Sequence, residues 1–155
     1  ALAENLVANE LMIESKGRLS PFQPVADDDG IDLLIYDKRT GRSCPIQIKA
    51  RTNTINKRGK QERSNTAHFE IRKSTFNDSR NTMLLCVLLS KDLRSTERAW
   101  LVPFSELKVL TRQSPSKYVI RANKLLSSKD KYSPYQCRSI NEVVERMFAQ
   151  FDSDT

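Results

Sequence analysis

The 155-residue chain, 38% hydrophobic and 29% charged, has the size and composition of one domain with a core of its own. No apolar run approaches the roughly 18 residues of a membrane span. No basic leader opens the sequence, so membrane-spanning and secreted classes are set aside and a cytoplasmic setting is expected. Cys44, Cys86 and Cys137 are an odd number without C-x-x-C spacing, which argues against a disulfide framework or a zinc site and predicts reduced, mostly buried thiols.

The net charge of +7 is unevenly spread. Residues 1–37 hold eight acids and two basic residues, whereas residues 49–80 hold nine basic residues and three acids. A cation site beside a phosphate-binding surface needs such a division, although charge alone fits a merely soluble basic protein equally well. The single histidine, His68, excludes a His-rich metal site and is expected to be a structural or surface residue.

Leu2 to Glu14 contains good helix formers and no Gly or Pro. At 100° per residue Leu2, Leu6 and Ile13 form a stripe flanked by Val7 and Leu11. Glu10 falls inside this arc and Glu4 at its border; each is either an ordinary helix charge or reaches a site. Gly17 to Val25 predicts a short strand, which Pro21 and Pro24 confine to an edge. Asp27-Asp28-Asp29-Gly30 reads as a solvated turn.

Gly30 to Ala50 predicts a β-hairpin. Ile31, Leu33 and Ile35 alternate with Asp32, Leu34 and Tyr36, and Ile46, Ile48 and Ala50 alternate with Gln47 and Lys49. Gln47 and Lys49 therefore share a face. Pairing Asp32 with Lys49 and Leu34 with Gln47 brings Asp32 onto it and leaves the four-residue loop Arg39–Arg42. Cross-strand partners lie roughly 5 Å apart at Cβ. A carboxylate, an amide oxygen and an ammonium gathered in this way can hold Mg²⁺ against a phosphate. The bland alternative is a strand with a solvated Gln/Lys edge.

Arg51 to Asn65 is a long polar stretch in which Arg51, Lys57, Arg58, Lys60 and Arg63 outnumber one acid. Directly after Lys49, it is expected to clamp nucleic-acid backbone rather than form an idle surface excursion. His68 to Ile71 alternates as a strand, and Arg72 to Asn81 reads as a short helix or turn. Met83 to Leu89 is nearly all apolar and predicts a strand buried on both faces. Ala99 to Val102 predicts another strand with Trp100 as a packing residue, and Pro103 opens a helix through Leu110. Tyr118 to Ile120 reads as a strand and Ser127 to Arg138 as a loop. Ser139 to Glu142 has the S-x-x-E form of a capping box. The helix after it has an apolar face from Ile140 to Phe151, for the core or otherwise for a dimer partner.

Asp32 followed by Gln47-Ile48-Lys49 resembles the signature of the PD-(D/E)xK nuclease superfamily: an Asp on one strand, then acid-x-Lys on the next. Two positions depart from it. Ile31 stands where the motif has a Pro that does no chemistry, and Gln47 replaces the acid. Branches with QxK here include an intron-encoded homing endonuclease of cyanobacteria. The segment Ala3 to Leu11 resembles the superfamily's first helix, whose early Glu turns toward the metal; by that alignment Glu4 is the candidate and Glu10 the alternative.

The resemblance implies an α/β, restriction-endonuclease-like core with a central mixed β-sheet flanked by helices. It covers about residues 3–110 of a single domain 1–155, with 111–155 as an extension ending in an amphipathic helix. It also implies Mg²⁺- or Mn²⁺-dependent hydrolysis of DNA phosphodiesters, most simply in duplex DNA, by a homodimer or higher homo-oligomer of homing or restriction-like type. Asp32, Gln47 and Glu4 would hold the metal, with the Ile48 carbonyl as a further ligand and Asp29 as a minor candidate, and Lys49 would act on the attacking water. The alternatives are a junction-specific nuclease, a non-catalytic nucleic-acid-binding module on the same fold, and a protein-interaction subunit with a solvated basic loop.

Overall fold

The computed structural model describes residues 2–25, 30–55, 65–75 and 81–153. Helix α1 (Leu2–Glu14) precedes β1 (Leu19–Phe22), β2 (Leu33–Asp37), β3 (Ser43–Arg51), β4 (Thr66–Arg72), β5 (Met83–Leu89) and β6 (Thr96–Pro103). Then follow α2 (Phe104–Leu110), β7 (Arg112–Gln113), β8 (Lys117–Asn123), β9 (Gln136–Cys137) and α3 (Ile140–Ser153). Six strands form a sheet in the order β1-β2-β3-β5-β6-β9, and three form a smaller one in the order β4-β8-β7. Within the larger sheet β3 and β5 are parallel and the other neighbours antiparallel. A parallel pair needs a crossover; here it carries β4, which pairs with β8 in the smaller sheet.

The larger sheet is covered on both faces. All seven residues of β5 are buried, and they alternate between two cores. Met83, Leu85, Val87 and Leu89 pack with Val7 and Leu11 of α1 and with Val143, Val144 and Met147 of α3. Leu84, Cys86 and Leu88 pack with Phe69, Ile71 and Ile120 of the smaller sheet and Leu107 of α2. Trp100 is fully buried here, with its ring edge-on to Phe69 at 5.8 Å. Cys44, Cys86 and Cys137 are free, buried thiols. β1 is an edge strand, where the donor that Pro21 lacks is not missed. Among the described residues no helix is long and apolar enough to cross a membrane.

Three expectations change. In α1 the buried line is Val7 and Leu11, while Leu2 and Ile13 are 65% and 68% exposed. The helix is gripped only along the ridge it shares with α3 and the sheet, so its most apolar stripe is not its contact stripe. The segment from 127 to 138, expected as a loop, contains the edge strand β9. Residues 111–155 supply strands to both sheets and a covering helix. The apolar face of α3 is accordingly spent within the chain and is not left for a dimer partner. The start of α3 follows the capping signal with a shift: Glu142 Oε2 accepts from the Arg138 amide at 3.1 Å, one residue before the expected Ser139.

Candidate active site

The β2–β3 hairpin has the expected form with a different register. Leu33 lies opposite Ile46, Ile35 opposite Cys44 and Tyr36 opposite Ser43. The Asp37 amide donates to the Arg42 carbonyl at 2.8 Å, so the four loop residues are 38–41. Turn chemistry sets this register. The Asp37 carboxylate accepts from Thr40 Oγ1 at 2.6 Å and from the Arg39 amide at 3.3 Å, which captures the first half of the turn. Gly41 supplies the left-handed residue at φ 76°. The expected pairing of Asp32 with Lys49 is therefore off by two residues. Asp32 itself lies just before β2, outside the paired register, which begins at Leu33.

Hydrogen bonds bracket that position. The Asp32 amide donates to the Ile46 carbonyl at 3.0 Å, and Asp32 Oδ2 accepts from the Ile48 amide at 2.6 Å. The carboxylate thus takes over a β3 amide where β2 has ended. Gln47 is 4% exposed, and its Oε1 has no hydrogen-bond partner among the described residues. Lys49 follows on the same face, partly buried. Its register partner on β5 is Cys86; burial pushes that thiol up, and the Lys49 ammonium pulls the other way.

The two helix acids part company. Glu4, in the first turn of α1, is partly buried and lies within electrostatic reach of Lys49. Glu10 instead accepts from Thr96 Oγ1 at 3.2 Å, at the start of β6. Burial raises its carboxyl above the usual range, against that hydrogen bond, and Glu14 adds repulsion. Glu10 is thus engaged at the start of β6, whereas Glu4 lies within reach of Lys49.

Beyond Lys49, a cleft of about 240 Å³ opens between the two sheets. Lys49, Ala50 and Arg51 line it from β3, Phe69, Glu70 and Arg72 from β4, and Lys117 from β8. The sequence reading missed Arg72, Glu70 and Lys117. Strand alternation groups Glu70 with Arg72, but only the β4–β8 pairing brings Lys117 to them. Lys57, Arg58, Lys60 and Arg63, and Asp29, lie outside the described residues. Another depression of about 330 Å³, at the turn end of the hairpin, is lined by Arg42, Cys44, Phe104 and Phe151 among others and by no carboxylate.

The donors beside Lys49 fit a hard divalent cation with a reduced charge complement. Among the described residues no three His, Cys, Asp or Glu side chains cluster as a metal site. The donors this part of the chain offers are the Asp32 carboxylate, held by the Ile48 amide, the buried Gln47 amide oxygen, and the Glu4 carboxylate within electrostatic reach of Lys49. A buried amide oxygen without a partner costs about 1–3 kcal/mol, and coordination of a hard cation would satisfy it.

No protein-family model matches the chain, and no curated protein does. Among solved structures it is similar to the bacterial homing endonuclease I-Ssp6803I, with a TM-score of 0.54 and 14% identity over 96% of this chain and 94% of that one. It is also similar to Hjc, a Holliday junction resolvase of Archaeoglobus fulgidus, with a TM-score of 0.49 and 10% identity over 92% and 96% of the two chains. At such identities the likeness is one of fold: a central mixed sheet flanked by helices.

Proposed function

We propose that the chain is a metal-dependent endonuclease that hydrolyses phosphodiester bonds in DNA. The observation that carries this reading is the buried, unsatisfied Gln47 oxygen on the face of β3 that also bears Lys49, beside the Ile48 amide that holds Asp32. Asp32, Gln47 Oε1 and Glu4 would hold Mg²⁺ or Mn²⁺, with the Ile48 carbonyl as a further ligand. The metal would offset phosphate charge and make a bound water more acidic. The Ile48 amide fixes the Asp32 carboxylate, so that donor is oriented before substrate arrives. Lys49 orients the attacking water and offsets charge on the pentacovalent phosphorus, a contribution typically on the order of 10²–10³ in rate. Arg51, together with Lys57, Arg58, Lys60 and Arg63, is assigned to phosphates of the flanking backbone. Duplex DNA is the expected substrate, and a homodimer is the simplest means of cutting both strands, since one such site attacks one strand.

Plasmid nicking with and without Mg²⁺ tests the reading, with duplex, single-stranded and branched oligonucleotides in parallel. Metal-dependent nicking is expected. DNA binding without nicking under any divalent metal would instead establish a non-catalytic binding module. Cleavage confined to branched DNA would make the chain a junction nuclease.

A further inference from the structure

The cleft beyond Lys49 is built from two parts of the chain that no sequence motif connects. Arg72 and Lys117 are register partners on β4 and β8, so their Cβ atoms lie roughly 5 Å apart on one face. Like charges directly opposite one another destabilise a sheet, and here they coincide with a concave surface. Both residues also line an adjoining hollow with Lys73, Ser74 and Ser116. Four cations, Lys49, Arg51, Arg72 and Lys117, meet one carboxylate, Glu70, in the main cleft.

That carboxylate is held from both sides. Lys117 Nζ approaches Glu70 Oε2 at 2.9 Å, and His68 Nε2 lies 3.0 Å from Glu70 Oε1. The far side of the imidazole is fixed as well, since Arg121 Nε donates to His68 Nδ1 at 3.2 Å. Lys117 first and His68 second lower the Glu70 carboxyl to about 2, so it is charged at any working pH. Glu70 therefore restrains Lys117 and subtracts one charge from a surface that is otherwise cationic.

We propose that this cleft is a track for the DNA strand beyond the scissile phosphate, with Arg72 and Lys117 as phosphate contacts and Glu70 as the residue that positions Lys117. The inference rests on the nuclease reading, because continuity with Lys49 is what selects a nucleic-acid strand over other polyanions. A strand attacked beside Lys49 has to leave the site, and the cleft offers a cationic path that starts at that residue.

The test is binding of a labelled duplex without divalent metal, measured from 50 to 200 mM salt, alongside plasmid nicking with Mg²⁺. Each of Lys117→Ala and Arg72→Ala should lower the log–log salt slope by up to about 0.9 and weaken binding about fivefold at 0.15 M salt, the share of one released counterion. Glu70→Gln should tighten binding, a gain that a merely structural carboxylate would not produce. A wild-type protein that binds and nicks, with slopes and affinities unchanged in Lys117→Ala and Arg72→Ala, would overturn the track and leave the nuclease reading standing. A wild-type protein that neither binds nor nicks would remove that reading, and the track with it.

Discussion

At the turn end of the β2–β3 hairpin, Asp37 is fully buried and richly partnered. It accepts from Arg18 Nε at 2.8 Å, Arg18 Nη2 at 3.1 Å, Thr40 Oγ1 at 2.6 Å and the Arg39 amide at 3.3 Å. Arg18 also donates to Asp152 at 2.7 Å and lies 4.3 Å from the centre of the Phe148 ring, which latches α3 onto the sheet. At the open end, Asp32 spends one oxygen on the Ile48 amide, and its neighbour Gln47 keeps a buried oxygen without a partner. The same hairpin thus carries a closed polar cluster at one end and an incomplete one at the other. A closed cluster can only stabilise; an incomplete one has capacity left for a ligand.

The largest effects should fall at the open end and on activity. Asp32→Ala and Lys49→Ala are each expected to lower nicking by on the order of 10²–10³ or more, with a near-normal thermal unfolding curve. Either variant unfolding like a core mutant would erase the contrast between the two ends. Asp37→Ala should do the reverse. Breaking a buried ion pair costs about 3–5 kcal/mol, to be read from denaturant melts, while nicking well below the melting temperature persists.

Acid sharpens the same contrast. Arg18 first, then Thr40 and the Arg39 amide, hold the Asp37 carboxyl well below its usual range against the cost of burial. A depressed carboxyl stabilises the fold above its unfolded pKa of about 4 and loses that contribution as the pH falls toward the folded value. Asp37→Asn should therefore start less stable at neutral pH and lose less on acidification below about pH 4. Identical acid unfolding in the two proteins would show that Asp37 contributes nothing through its charge.

Gln47 is the position where stability and activity should separate. Gln47→Leu removes an unsatisfied buried acceptor and is expected to stabilise by about 1 kcal/mol, while nicking is lost. Gln47→Glu adds charge at almost the same shape and should lower the Mg²⁺ concentration for half-maximal nicking; Gln47→Ala should raise it. Superimposable metal titrations for Gln47→Glu, Gln47→Ala and wild type would take Gln47 out of the metal site. The smallest effect belongs to Glu10→Gln. Its carboxylate is engaged with Thr96, so metal titrations should stay close to wild type, whereas Glu4→Gln should shift them to higher metal.

Much of this was legible locally. Alternation between apolar and polar residues identified β2, β3 and β5, because a strand's side chains repeat every two residues whatever lies around it. The same parity put Gln47 and Lys49 on one face of β3, a placement that does not depend on the hairpin register, which was off by two. That register was itself encoded nearby, in the Asp37–Thr40 turn and Gly41, but as a hydrogen-bond geometry that apolar patterning does not report. The α1 stripe failed for a different reason. Its composition marks Leu2 and Ile13 as apolar, yet burial depends on where α3 and the sheet touch the helix.

What only the tertiary structure decided are the encounters between distant segments. The resemblance to a nuclease motif ended near Leu110; the apolar face of α3 pointed to the core, but nothing in residues 111–155 announced that β8 would pair with β4 or that β9 would close the sheet edge. Pairing between segments some fifty residues apart is selected by the summed burial of both cores, not by any local signal. Lys117 stands in a loosely patterned stretch of sequence, and Glu70 in a strand with no motif. They meet only because Phe69 and Ile120 are buried together between the sheets, which brings the opposite faces of their strands into one charged cleft.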